Sequence, residues 1–554
     1  KARPDTFLYR TRTFVRRNRL AVTVAASLIT MLLTAVVVTT QQTRVAQAER
    51  QRADAQRLRA EESLGFLVHL FAISDPFSDE RSSLVDRGGE QIPLGEQVTA
   101  RQVLDEGARQ VRSSLHEAPE TRSDLLHAIG IAYRNLSLLD EAEALQEEAI
   151  VLRRQTLGDE APATLEAIRE LAVVRLERDQ SDDADRLLAE VLDGQVGLFG
   201  DDHLEVAETL FWQAQVAWRQ REFVLAEQRF ATCLDIRQRH LDDDDPDLAA
   251  ARRGLGEALF SQGRFADASR IFEQVLSVQR RLRGEAHPEI ATVLNNLALA
   301  RQQLGLADEA LPLLQEVVDM RRALLGDRHG HVAQALYNLA TAQMRAGRGH
   351  LAEPLAHEAL TIYRHVYGEQ HDGSAQTLLL LGALAQRRGA LDAAREHLSE
   401  ALAIRRQLFG DAHMGVAQVY YRLARVAERA QDVAEAERRY RECLAVQRRV
   451  SDPTAERLRV RPLTKLGSLL LARDRAAEAV TVLTEAVEIQ HRQGDPLATA
   501  DLEVRLAESL AAAGQIDAAR EQFVRCLAAY RDALPGDDAK IQAVEAWLDR
   551  LAPT

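Results

Sequence analysis

Residues Gly284–Gly326 read GEAHPEIATVLNNLALARQQLGLADEALPLLQEVVDMRRALLG, and this stretch decides the fold. Two runs inside it, EIATVLNNLALARQQLG and DEALPLLQEVVDMRRALLG, place apolar residues at i, i+3, i+4 and i+7, the period of an amphipathic helix. Leu294, Leu297 and Ala298 share one face of the first helix. Gly305 breaks that helix, Asp308 is placed to cap the next, and the small Ala310 lets neighbouring helices approach closely. The stretch is therefore a helix pair closed by turns.

The pair repeats. Sliding the chain against itself by 42 residues aligns turn glycines at Gly158, Gly200, Gly284, Gly326, Gly368 and Gly410, with Asp242 and Asp452 in the same column and Gly494 and Gly536 resuming it. An acidic residue follows in most units: Asp159, Asp201, Asp243, Glu285, Asp327, Glu369 and Asp411. A stricter column holds Ala142, Ala184, Ala226, Ala268, Ala310, Ala352, Ala394 and Ala436, eight consecutive steps of 42. The register slips by about a residue after Asp452.

These features resemble the tetratricopeptide repeat in its 42-residue form with the turn G-[DE]-x-H-P, as in kinesin light chains. Here the turn stands as GEAHPE at Gly284–Glu289, and more loosely as GDDHLE, GDRHGH, GEQHDG and GDAHMG. The resemblance implies an all-α fold, an α-solenoid of about ten helix pairs over residues 116–536 with a capping helix at 537–554.

Composition agrees with a helical chain. Of 554 residues, 46% are hydrophobic, 28% charged and only 5% aromatic. The net charge of −14 offers no general attraction to phosphate backbones, so nucleic acid is not an expected partner. The three cysteines, Cys233, Cys443 and Cys526, match no zinc spacing; Ala149, Val191 and Val275 occupy the same slot in other units, which makes it a small apolar position.

Before the array, Leu20–Thr40 (LAVTVAASLITMLLTAVVVTT) carries no charge and is long enough to cross about 30 Å of hydrocarbon. It reads as one transmembrane helix. Arg10, Arg12, Arg16, Arg17 and Arg19 precede it, which predicts a single-pass inner-membrane protein with residues 1–19 cytoplasmic and the array extracytoplasmic. Residues 41–72 read as a helical stalk, and 73–115 as a linker with an entry helix. Too few apolar heptad positions support a coiled coil in the stalk, so it reads as a solvated helix, with a homodimer left open.

The run ARPDTFLYRTRTFVRRNRLAV at residues 2–22, then FLVHLFAISDP and VTARQVLDEGA, resembles the region downstream of the catalytic domain in bacterial membrane-bound serine/threonine protein kinases that carry tetratricopeptide repeats. That resemblance implies a fragment whose kinase domain lies before Lys1. The alternative is a stand-alone membrane-anchored adaptor.

The chain itself holds no strand-borne Gly-rich loop, strand lysine, H-R-D or D-F-G motif, so it is not expected to be an enzyme or to need a cofactor. His203, His287, His329, His371 and His413 recur one per unit, a spacing that suits turn capping rather than a metal site. Binding is expected on the concave wall lined by first helices. The column there reads His127, Arg169, Phe211, Arg253, Asn295, Tyr337, Leu379 and Tyr421, with Trp212, Asn296, Asn338 and Arg422 beside it. Arg169, Phe211, Arg253, Asn295, Asn296, Tyr337, Asn338, Tyr421 and Arg422 are the candidate groove residues for a protein or peptide ligand. By the kinesin-light-chain resemblance, the asparagines would bond the backbone of an extended peptide.

Overall fold

A computed structural model describes residues 99–115, 118–450, 453–536 and 538–551. The expected basic segment 1–19, membrane helix 20–40, stalk 41–72 and residues 73–98 of the linker lie outside the described residues. Among the described residues, no helix is long and apolar enough to cross a membrane. The expected transmembrane helix and the single-pass membrane location derived from it are therefore not supported by the described helices. The longest described helices are too charged to cross a membrane: Ala307–Leu325 has 19 residues but carries Asp308, Glu309, Glu316, Asp319, Arg321 and Arg322. Charge at that density is costly in hydrocarbon.

The described architecture is all-α and divides into two compact units between His240 and Leu241. In the first unit, α1 (Ala100–Ser114) precedes three pairs: α2 (Pro119–Asn135) with α3 (Leu139–Leu157), α4 (Pro162–Glu177) with α5 (Ser181–Phe199), and α6 (Leu204–Arg219) with α7 (Phe223–His240). The second unit opens with α8 (Pro246–Ser261) and α9 (Phe265–Arg283), α10 (Pro288–Gln303) and α11 (Ala307–Leu325), and α12 (Gly330–Arg345) and α13 (Gly349–Tyr367). It continues with α14 (Asp372–Arg387) and α15 (Leu391–Phe409), then α16 (Met414–Arg429) and α17 (Val433–Arg449). A short α18 (Pro453–Leu458) follows, then α19 (Val460–Leu471) with α20 (Ala476–Arg492), α21 (Pro496–Ala512) with α22 (Ile516–Ala533), and α23 (Ala539–Arg550).

Local chemistry explains each turn of the repeat. Between pairs, α11 ends at Gly326, whose φ of 78° and ψ of 167° form a backbone state open essentially only to glycine. Its N–H donates to the Arg322 carbonyl at 2.9 Å. The acidic residue after the glycine pairs with the arginine four residues before that glycine, as in Arg280–Glu285 at 3.4 Å and Arg364–Glu369 at 3.0 Å. The recurring histidines then cap the next helix: Nδ1 of His203, His287, His329, His371 and His413 accepts the backbone N–H two residues on, at 3.1 to 3.2 Å. Several of these rings also stack on the aromatic four residues earlier, as in Phe409–His413 with centroids 4.4 Å apart.

Within a pair, Gly305 (φ 80°) lets the Leu306 N–H reach back to the Arg301 carbonyl at 2.9 Å, a Schellman closure. The following helix starts from Leu306 with no side-chain cap. Asp308 therefore does not cap it; it lies in the first turn, where its charge favours the positive helix end. All eight alanines of the strict column are fully buried. Arginines tie successive units together: Arg154–Glu190 and Arg280–Glu316 join second helices, while Arg387 and Arg429 donate to the Met344 and Gln386 carbonyls at the ends of preceding first helices. Exposed pairs of this kind contribute only about 0–1 kcal/mol each, so most stability comes from the apolar layers between helices.

The glycine column fails at Asp242 and Asp452. The unit boundary falls at His240, and the extra α18 is inserted from Pro453.

Candidate functional site

Within each unit, first helices of successive pairs lie side by side, so residues 42 apart on them become neighbours. In the second unit this creates a chain of polar contacts. Arg253 on α8 donates to Glu257 Oε1 at 2.9 Å, and Asn296 Nδ2 on α10 donates to the same oxygen at 3.0 Å. Asn295 Nδ2 approaches Asn296 Oδ1 at 3.5 Å. Asn338 Nδ2 on α12 donates to Asn295 Oδ1 at 2.7 Å, Gln334 Nε2 to Asn338 Oδ1 at 3.2 Å, and the Tyr363 hydroxyl on α13 to Gln334 Oε1 at 3.1 Å. Four expected residues, Arg253, Asn295, Asn296 and Asn338, are thus brought into one ladder that spans three first helices.

The ladder is half-buried, which fixes its electrostatics. Burial opposes the Arg253 charge, but Glu257 and Glu289 outweigh it and raise the guanidinium above its ordinary range. Burial pushes the Tyr363 hydroxyl up, with the Tyr367 and Tyr337 hydroxyls adding to the effect, so it stays a neutral donor to Gln334.

Tyr337 and Arg422 lie further along, in the lining of a cavity of about 540 Å³ that also touches Leu379, Arg345, Arg387 and Arg405. Arg422 is shared with a second cavity of about 500 Å³, where Tyr421 also sits. The two remaining candidates belong to the first unit and are already engaged. Arg169 bonds Glu205 Oε2 at 2.5 Å on the next first helix, and Phe211 meets Phe230 edge-on at 5.7 Å beneath the Arg237 guanidinium. His127, from the same column, is a core residue: its Nδ1 faces Gln146 Oε1 at 2.8 Å, and burial together with Arg153 lowers its pKa.

Glu257 and Gln334 were not singled out from sequence, although each sits one helical turn from a column residue and the 3.6 period could have found them. Tyr363 lies on a second helix, and nothing in the repeat pattern points to it. The three cysteines are buried, and burial raises the Cys443 and Cys526 thiols to about 12. Among the described residues no group of three or more His, Cys, Asp or Glu side chains could hold a metal ion.

The tetratricopeptide repeat model matches residues 121–195, 205–281, 247–323, 289–348, 331–407 and 376–449, more than half of the chain. The chain belongs to the tetratricopeptide repeat family, and it is a protein-binding scaffold built of such repeats. No curated protein matches it. Among solved structures, it is similar to a Podosopora anserina chain assigned as a kinesin light chain with nearly identical TPR-like repeats, at 24% identity over 38% of this chain and 99% of that one, TM-score 0.33. It is also similar to the apo quorum sensor NprR from B. thuringiensis, at 15% identity over 66% and 98%, TM-score 0.45. The Rap conjugation gene regulator of plasmid pLS20, solved with the Phr* peptide, matches at 14% identity over 62% and 94%, TM-score 0.39. Each is a likeness of fold.

Proposed function

We propose that the face formed by first helices of the second unit holds an extended peptide segment of a partner protein. The observation that supports this is the amide ladder. An extended peptide presents one N–H and one C=O per residue, and both need partners when covered. Side-chain amides offer both, and the ladder engages only part of the capacity of Asn295, Asn296 and Asn338. Their mutual bonds also hold the amides in place, which reduces the ordering cost of binding. Tyr337 and Leu379, in the adjoining cavity, would receive a side chain of the peptide.

The test is a fluorescence-polarisation screen of labelled random decapeptides against the chain and an Asn295→Ala/Asn338→Ala variant. Two lost hydrogen bonds at about 0.5–1.5 kcal/mol each predict roughly tenfold weaker binding. Unchanged affinity in a folded variant would reject the ladder as the binding element.

A second reading rests on the segments at residues 2–22, 66–76 and 98–108, which resemble the region downstream of the catalytic domain in membrane-bound bacterial kinases: the scaffold would serve a serine/threonine protein kinase domain in the same polypeptide. Reading the coding sequence on the 5′ side of the Lys1 codon decides between that and a stand-alone adaptor.

A further inference from the structure

The second helices α11, α13 and α15 end in Leu324 and Leu325, Val366 and Tyr367, and Leu408 and Phe409. A helix end beside a turn is ordinarily a polar, solvated place, yet these six large apolar side chains are 38–50% exposed. The three helices are neighbours: Arg322 pairs with Glu358 on α13, and Arg364 with Glu400 on α15. Successive steps also meet, because the Tyr367 hydroxyl lies 2.1 Å from where a Cβ on Gly330 would stand, in the segment just past Leu325. The result is an apolar row along one rim of the second unit. At about 150–250 Å² for a large side chain, these exposures leave roughly 500 Å² of surface, a size that marks an interaction site on a monomer.

Charge and symmetry say what covers the row. Each step is flanked by one arginine and one acid that pair with each other, Arg322–Asp327, Arg364–Glu369 and Arg406–Asp411, so the rim adds no net charge. In a chain of net charge −14, this is a place where a second copy can approach without self-repulsion. The row is bounded: on the preceding second helix Arg283 stands in the column of Leu325, and the following one ends in Arg448 and Arg449. Tyr367 and Phe409 are held in place by stacking on His371 and His413, with centroids 4.3 and 4.4 Å apart, which lowers the ordering cost of a contact. Three apolar steps read alike in either direction. A two-fold axis beside Val366 therefore sets Leu324 and Leu325 of one copy against Leu408 and Phe409 of the other, and sliding by one step loses a third of the contact. Two rows face to face bury about 1,000 Å², the lower edge of specific interfaces. We infer that this rim is the self-complementary interface of a reversible dimer of the chain. The inference is independent of the groove reading, since no residue of the row belongs to the amide ladder.

The experiment is thiol cross-linking of the full chain with a short bismaleimide at micromolar concentration. The native cysteines are fully buried, so an added surface thiol is the one that reacts. The probes are a Val366→Cys chain, a mixture of Leu324→Cys and Leu408→Cys chains, and a Val224→Cys chain as an exposed control in the first unit, with circular dichroism confirming that each is folded. The expected result is that Val366→Cys gives at least tenfold more covalent dimer than Val224→Cys, that adding Leu325→Asp and Phe409→Asp to it removes the excess, and that the mixture yields the Leu324→Cys/Leu408→Cys pair above either like pair. Equal yields from Val366→Cys and the control overturn the inference and leave the rim to a different protein. Cross-linking unchanged by the two aspartates overturns the rim as the interface. Like pairs exceeding the mixed pair overturn the two-fold arrangement.

Discussion

Gly326→Ala isolates the backbone requirement of the repeat from every packing effect. An added Cβ at this position meets nothing within 4 Å, so no contact opposes the change. The φ of 78° with ψ of 167° nevertheless lies where L-residues are strained, at a cost of about 1–3 kcal/mol. The same substitution at Gly349, in the first turn of α13, is the control. There the residue is helical, and the new methyl would sit 3.6 Å from Leu384 Cδ2, an ordinary van der Waals distance. Helix propensity then predicts no loss, or a gain of up to about 1 kcal/mol. Urea unfolding followed by far-ultraviolet circular dichroism should therefore show Gly326→Ala with a lower midpoint and Gly349→Ala with an equal or higher one. Indistinguishable midpoints for the two variants would refute the assignment of the 42-residue glycine column to backbone strain.

Three further outcomes follow from the same geometry. Gln431 occupies the inner-turn position at φ 60°, where Gly263, Gly305, Gly347 and Gly389 stand in the four preceding units, so Gln431→Gly should stabilise the chain by about 0.5–1 kcal/mol in the same assay. Ala310 is fully buried, and Ala310→Leu should cost about 1–3 kcal/mol through overpacking, read as a lower melting temperature. Burial and Arg153 hold the His127 pKa below its ordinary 6.5, so the unfolded chain takes up a proton there before the folded chain does. Stability from this site is complete above about pH 6.5 and falls as pH drops from there toward the depressed folded value; the midpoint loss between pH 7.5 and 5.5 should be smaller in His127→Gln than in the unaltered chain.

Much of the fold was legible because the repeat is written in local chemistry. Glycine at Gly326, the acidic residue after it and histidine at His329 each act within a few residues of their own position, so a 42-residue period in sequence becomes a turn, an ion pair and a cap. The same locality misled at Asp308, where the spacing suited a cap but the Schellman turn at Gly305 had already set the N-cap at Leu306, two residues earlier. The apolar stretch at 20–40 was read by hydropathy alone and lies outside the described residues, among which no helix is long and apolar enough to cross a membrane.

The candidate site was legible only as a column. Helix phase put Arg253, Asn295 and Asn338 on one face, but which side chains meet depends on how far successive helices shift and rotate, and that is set by packing across the pair. Arg169 and Phe211 share the phase of Asn295, yet they end in an ion pair and an aromatic cluster because Glu205 and Phe230 face them. Sequence by itself determined the helix pair, its period and its caps, since these depend on contacts between near neighbours in the chain. The division at His240, the amide ladder and the cavity lined by Tyr421 and Arg422 were decided by tertiary structure, because each joins side chains from helices that only stacking brings together.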